Sequence, residues 1–217
     1  MPDPRGDGVG KLEALVDRGT GRWARGPGTL RANARGGHRV TRRIVLTGPE
    51  CSGKTTLAAT LAEQFGAPWL PEASRAYAVE KARDGHTLTQ ADVEPIARRA
   101  VAAEDAALAD APPMLVLDTD LLSTVTYARH YYGTSSAWLE DEAHTRQAAL
   151  YLLCAPDLPW TPDGIRDRPT NREELFTAFE GVLAEFGARV VVVRGTGPRR
   201  TDAAVRAVTP LVDGAVR

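Results

Sequence analysis

An α/β fold in three layers, a parallel sheet with helices on both faces, is predicted by three observations. From residue 42 onward, short apolar runs alternate with longer amphipathic stretches, the pattern of strands joined by crossover helices. The runs are continuously apolar, as strands buried on both faces are. A glycine-rich turn at 48–53 joins the first run to the first helical stretch. In chain order, Ile44-Val45-Leu46-Thr47 gives a strand, 54–65 a helix, and Trp69-Leu70 a short second strand. A helix is expected from Gln90 to about residue 109. Thr89 and Asp92 fit a capping arrangement at its start, and Val93, Ile96, Ala97, Ala100, Ala103 and Ala107 share one of its faces. Strands follow at 114–117, 150–154 and 190–193, with helices at 136–148, 172–186 and 201–211. No internal repeat is present.

At 217 residues with 43% hydrophobic side chains, the chain suits one domain over 42–217 that buries a real core. Residues 1–41 differ: they hold eight basic and four acidic side chains, many glycines and few large apolar residues, too little to offset their ordering entropy. They are expected to be a disordered arm, or an over-long start with the true one near Val40. Trp23 is the arm's only aromatic, and Asp3, Asp7, Glu13 and Asp17 dilute its charge, so no nucleic-acid partner is expected. Cys51 and Cys154 are the only cysteines. They lack zinc-site spacing, and a reducing, cytoplasmic setting is expected. No apolar run is long enough for a membrane span. Oligomeric state cannot be read.

The turn itself is Gly48-Pro49-Glu50-Cys51-Ser52-Gly53-Lys54-Thr55, which satisfies G-x-x-x-x-G-K-[ST] between a predicted strand and a predicted helix. In such a P-loop the backbone amides curl around phosphate oxygens and the helix N-terminus adds its positive dipole end. ATP and Mg²⁺ are therefore the expected cofactors. Gly48, Glu50, Cys51, Ser52, Gly53, Lys54, Thr55 and Thr56 are the expected nucleotide-binding residues, with Lys54 on the β and γ phosphates and Thr55 on the metal. Lysine usage points the same way. Only Lys11, Lys54 and Lys81 occur among 27 basic residues, so lysine stands at 54 because a compact ammonium, not a guanidinium fork, fits the loop.

Leu115-Val116-Leu117-Asp118-Thr119-Asp120 ends an apolar strand in carboxylates. Asp118 is the candidate metal ligand or hydroxyl-positioning group, and Asp120 is a second candidate unless it caps the next helix. At the carboxyl end of the second strand, Trp69 offers a stacking face, Glu72 a carboxylate for a hydroxyl and Arg75 a fork for phosphate; the alternatives are that Trp69 is core and that Glu72 and Arg75 form a solvent-exposed helix pair. The Pro-rich stretch 156–168 reads as a lid, with Arg166 as a catalytic arginine and Arg168 as a second phosphate contact. Cys51, beside Lys54 at a helix N-terminus, is a candidate redox-sensitive thiol. His130 and His144 read as packing or surface residues.

With these segments in hand, the chain resembles the ribosylnicotinamide kinase domain of the bacterial NadR type, a P-loop nucleoside/nucleotide kinase-like fold, over about 43–200. The carriers are the P-loop, Trp69-Leu70-Pro71-Glu72 with Arg75 and Tyr77, Ile96-Ala97 with Glu104, Leu117-Asp118-Thr119-Asp120, Tyr131-Tyr132-Gly133 with Trp138-Leu139, and Pro156-Asp157-Leu158-Pro159-Trp160 through Asp163-Gly164-Ile165-Arg166. The resemblance implies phosphorylation of the 5′-hydroxyl of nicotinamide riboside in NAD salvage. Trp69 or Tyr77 would stack on the pyridinium ring, and Glu72 or Asp118 would hold the ribose. Longer members carry an adenylyltransferase domain ahead of the kinase; the short arm here leads us to expect kinase activity alone. Ala73, Arg99 and Ala100 stand where the family pattern has tyrosine, glycine and glutamine. A P-loop kinase of another nucleoside, nucleotide or metabolite, or a non-catalytic ATP-binding module, are the alternative readings.

Overall fold

Five strands form one parallel sheet: β1 (Arg42–Thr47), β2 (Trp69–Leu70), β3 (Met114–Asp118), β4 (Leu150–Cys154) and β5 (Val190–Val193), in the spatial order β2-β3-β1-β4-β5. The structure, a computed structural model, describes residues 40–160 and 171–213. The arm expected over 1–41 therefore lies outside the described residues except at its last two positions. Seven helices are described: α1 (Lys54–Phe65), α2 (Ala73–Arg83), α3 (Val93–Leu108), α4 (Leu121–Tyr132), α5 (Ala137–Thr145), α6 (Arg172–Glu185) and α7 (Gly197–Asp213), with a 3-10 turn (Gln90–Asp92) before α3.

Strand alternation divides the core into two layers. Val45, Leu115, Leu117, Tyr151 and Leu153 face α3, α4, α5 and α6, whereas Ile44, Leu46, Val116, Leu150 and Leu152 face α1 and α7. These side chains are at most 5% exposed, which is why the runs read as continuously apolar. The expected three-layer α/β architecture is the one found. No helix among the described residues is long and apolar enough to cross a membrane.

Three differences from the expected elements have physical reasons. Helix α2 is additional; it buries no residue, so it leaves no hydrophobic period to read. Helix α4 is also additional. It buries Leu121, Leu122, Ser123, Val125, Thr126 and Ala128, a mixture of types too broad in angle for a clean stripe. The helix expected from Gln90 instead begins with the 3-10 turn, where Thr89 and Asp92 form the expected reciprocal cap.

Candidate active site

Residues 48–53 leave the carboxyl end of β1 and enter α1, at the place where the sheet order turns from β3 to β4 on either side of β1, the usual ligand position of an open α/β sheet. Gly48 has φ 127°, and a Cβ there would lie 2.6 Å from the Cys154 carbonyl oxygen. Gly53, at φ 78°, occupies the N-cap of α1, and Cys51 also has positive φ, 53°. Left-handed residues between right-handed ones turn successive N–H groups to one side and form a concave anion site.

The carbonyls of the same loop are held by side chains. Lys54 is buried, and its Nζ donates to the oxygens of Gly48 at 2.8 Å and Pro49 at 2.9 Å. The Ser52 hydroxyl donates to the Pro49 oxygen at 2.7 Å. Arg172 donates to the Cys51 oxygen at 3.3 Å and to the Leu158 oxygen at 2.8 Å, and Arg200 donates to the Ser52 oxygen at 2.7 Å. The Thr55 hydroxyl donates to Asp118 Oδ2 at 2.5 Å. Pairing of Leu46 with Asp118 across β1 and β3 brings these two oxygens together.

Beside the loop, on the α3–α4 side of the sheet, lies a cavity of about 400 Å³. Residues 70–75 and Ala78 form one wall, and the face of α3 bearing Val93, Ile96, Ala100, Ala103 and Glu104 forms another. Part of the apolar face read along α3 is thus cavity wall. Tyr127, Tyr131 and Tyr132 from α4, with Trp160, supply the aromatic lining. Tyr127 and Tyr131 stack with centroids 6.0 Å apart, and their hydroxyls donate to the Gly48 oxygen at 3.4 Å and Glu50 Oε1 at 3.5 Å. Among the described residues, the charged lining consists of the carboxylates Glu50, Glu72, Glu104 and Asp120 against the one basic group of Arg75.

Three of these carboxylates have defined partners. Glu72 precedes α2 and accepts a hydrogen bond from the Ser74 hydroxyl at 2.6 Å. Glu104 is buried and accepts from Arg43 at 2.5 Å. Thr119, at φ 70°, bends the chain so that Asp118 faces Thr55 while Asp120 reaches the cavity. Asp120 also caps α4, accepting from the Ser123 N–H at 3.2 Å and the Tyr151 hydroxyl at 2.7 Å. Burial pushes its carboxyl up to about 6, against the opposing pull of the Tyr151 hydrogen bond.

The other expected site residues are distributed as follows. Gly48 to Thr56 are contiguous as loop and first helical turn, and Glu72, Arg75 and Asp120 meet at the cavity. Trp69 and Tyr77 are not on its wall. Trp69 packs with the α1–α7 layer because alternation along β2 sends it away from Leu70. Tyr77 donates to Asp92 at 3.0 Å under the Arg99 guanidinium. The aromatic surface comes instead from α4 and Trp160. Arg166 and Arg168 lie outside the described residues. Sequence reasoning missed Arg200 and the part played by Tyr151, since each acts through a contact far along the chain; Tyr127 repeats one helical turn before Tyr131, a signal that was available.

A family model described as an AAA domain matches residues 43–200. The trifunctional NAD biosynthesis/regulator protein NadR of Salmonella typhimurium is 27% identical over 146 residues, 67% of this chain and 35% of that protein. The chain thus corresponds to about a third of that relative's length. A crystal structure of NadR protein in complex with NR superposes with a TM-score of 0.60 at 22% identity, over 78% of this chain and 52% of that one. A NadR structure in complex with NAD and AMP-PNP gives 0.61 at 22%, over 80% and 50%.

Proposed function

We propose, on the premise that the chain belongs to the AAA domain family, that it is an ATP-dependent kinase passing the γ-phosphoryl group to the 5′-hydroxyl of nicotinamide riboside and releasing nicotinamide mononucleotide. The observation that carries this reading is the charge of the cavity beside the phosphate loop: four carboxylates, of which Glu104 is already paired with Arg43, and one arginine among its described walls, with tyrosine and tryptophan faces. Nicotinamide riboside carries a fixed positive charge on an aromatic ring. A cation about 4 Å from one carboxylate gains about 4 kcal/mol at an effective dielectric near 20, and a ring cation over an aromatic face gains further. A nucleoside monophosphate brings negative charge to the same walls and finds, among the described lining residues, only Arg75 in its favour. The likeness to a NadR structure holding NR supports the same choice.

The chain's own residues then divide the work. The loop amides and Lys54 bind and orient the phosphates, and Lys54 offsets the charge that spreads over the γ-phosphate oxygens during transfer. Thr55 Oγ1 and Asp118 would hold Mg²⁺; hard oxygen donors already in contact suit that ion, which supplies charge neutralisation on the phosphates. Glu72, on the cavity wall, takes the proton of the acceptor hydroxyl or orients it. Arg75 and Asp120 position the acceptor from either side.

The test is ADP release measured over a panel of acceptors that includes nicotinamide riboside and its neutral dihydro form. The cationic riboside is expected to show a kcat/KM at least about tenfold above that of the neutral form, a difference of one or more kcal/mol. Equal rates on the two, or preferred turnover of an anionic monophosphate, would refute the charge-based reading.

A further inference from the structure

Arg200 is buried, 4% exposed, in the first turn of α7. That is an unfavourable place for a cation, because the positive end of the helix dipole lies there, and a guanidinium taken out of water costs several kcal/mol unless its donors are satisfied. Among the described residues, its ion-pair partner is Asp157, 3.8 Å away. Its two terminal nitrogens meet main chain, while its Nε is buried with no hydrogen-bond partner among the described residues and the Cys154 thiol lies beside the guanidinium. One nitrogen donates to the carbonyls of Ser52 at 2.7 Å and Ala155 at 3.0 Å, and the other donates to Gly195 at 2.9 Å. The three acceptors belong to the phosphate loop, the segment leaving β4 and the turn after β5. Asp157 reinforces the last of these by accepting the Gly195 N–H at 2.5 Å.

The peptide unit is planar and trans, so its C=O and N–H point in opposite directions. Holding the Ser52 oxygen outward therefore holds the Gly53 N–H inward, toward the concave side of the loop. Arg172 does the same to the preceding unit through the Cys51 oxygen, turning the Ser52 N–H inward. Lys54 accounts for two earlier carbonyls, those of Gly48 and Pro49, which belong to the 48–49 and 49–50 units.

We propose that Arg200 is a positioning residue for nucleotide binding: by fixing the Ser52 carbonyl to the ends of β4 and β5, it sets the direction of the Gly53 amide before ATP arrives. This rests on reading the loop as the ATP site and is independent of which acceptor is used. A merely structural arginine would affect stability and both substrates alike; a positioning one acts on the nucleotide.

The experiment is calorimetric titration of the full chain with AMP-PNP and Mg²⁺, without acceptor, for the wild type, Arg200→Gln and Arg200→Lys, each with a thermal melt. Arg200→Gln is expected to weaken binding at least about tenfold, the effect of losing a charge-assisted hydrogen bond network. Arg200→Lys, whose single ammonium cannot reach all three carbonyls as the fork does, is expected to fall between. In the ADP-release assay, KM for ATP is expected to rise in Arg200→Lys while KM for the acceptor stays within about twofold. If Arg200→Lys binds AMP-PNP like wild type, or raises both KM values equally, the proposal is overturned, even should Arg200→Gln fail to fold. Failure of the wild type to bind AMP-PNP would instead overturn the nucleotide-site reading beneath it.

Discussion

Lys54 closes on the carbonyls of residues 48 and 49, and Asp118 accepts from Thr55 in the first turn of α1. Under the proposed chemistry each manages phosphate charge, so Lys54→Ala and Asp118→Ala are each expected to cut turnover at least about a hundredfold. Near-normal turnover in either would remove the role assigned to it. Gly48 makes a different demand. Its φ of 127° and the 2.6 Å approach to the Cys154 carbonyl leave no room for a methyl group, and Gly48→Ala is expected to cost about 2 kcal/mol or more of stability, readable by denaturant titration. Asp120 carries a pH dependence. Its carboxyl is raised to about 6 in the folded protein from an ordinary 3.8, chiefly by burial, so the fold holds that proton more tightly than the unfolded chain. The stabilisation is fully present below about pH 4 and is lost as pH rises through about 6. The melting temperature of wild type relative to Asp120→Asn is therefore expected to be more favourable near pH 4.5 than near pH 7.5. Parallel profiles would show that Asp120 titrates as an ordinary carboxylate.

Helix α2 forms a cavity wall with no fully buried residue, so polar contacts do much of the holding. Arg99 pairs with Glu80 at 2.7 Å and lies over Tyr77, and Asp92 gathers the rest. It accepts hydrogen bonds from the Tyr77 hydroxyl at 3.0 Å, Lys81 Nζ at 2.7 Å, and the Thr89 N–H and hydroxyl at 2.8 Å each. Lys81, among the few lysines of an arginine-rich chain, is thus explained by a buried carboxylate rather than by the nucleotide. Asp92→Ala is expected to loosen α2 against α3, raising amide exchange over 73–92 and KM for the acceptor while leaving KM for ATP unchanged. A lower melting temperature with both KM values unchanged would place α2 outside acceptor binding. The same element shows where sequence reading stops. The cap between Thr89 and Asp92 was legible because it lies within four residues, whereas the helix it anchors was not, because a helix with no fully buried residue shows no strong apolar period. Trp69 was legible as an aromatic at the right strand but not as facing the wrong layer, since a two-residue strand gives alternation nothing to fix its phase.

Across the whole molecule, the sheet was the most legible feature, because both faces are covered and its strands read as unbroken apolar runs. Strand order was not, and it matters most. With β1 between β3 and β4, the phosphate loop is brought beside Asp118, 63 residues from Thr55, and the segments carrying Glu72, Glu104 and Asp120 converge on one cavity. Arg200 reaches Ser52 across 148 residues, a contact that no local pattern announces. The central claim is that this arrangement moves phosphate onto a cationic nucleoside. Its most direct measurement is phosphorus NMR of the protein with ATP, Mg²⁺ and nicotinamide riboside. The expected result is equimolar appearance of ADP and a phosphomonoester on the riboside 5′-oxygen, with no free phosphate. ATP that stays intact, or that goes to ADP and inorganic phosphate while the riboside is untouched, would contradict it.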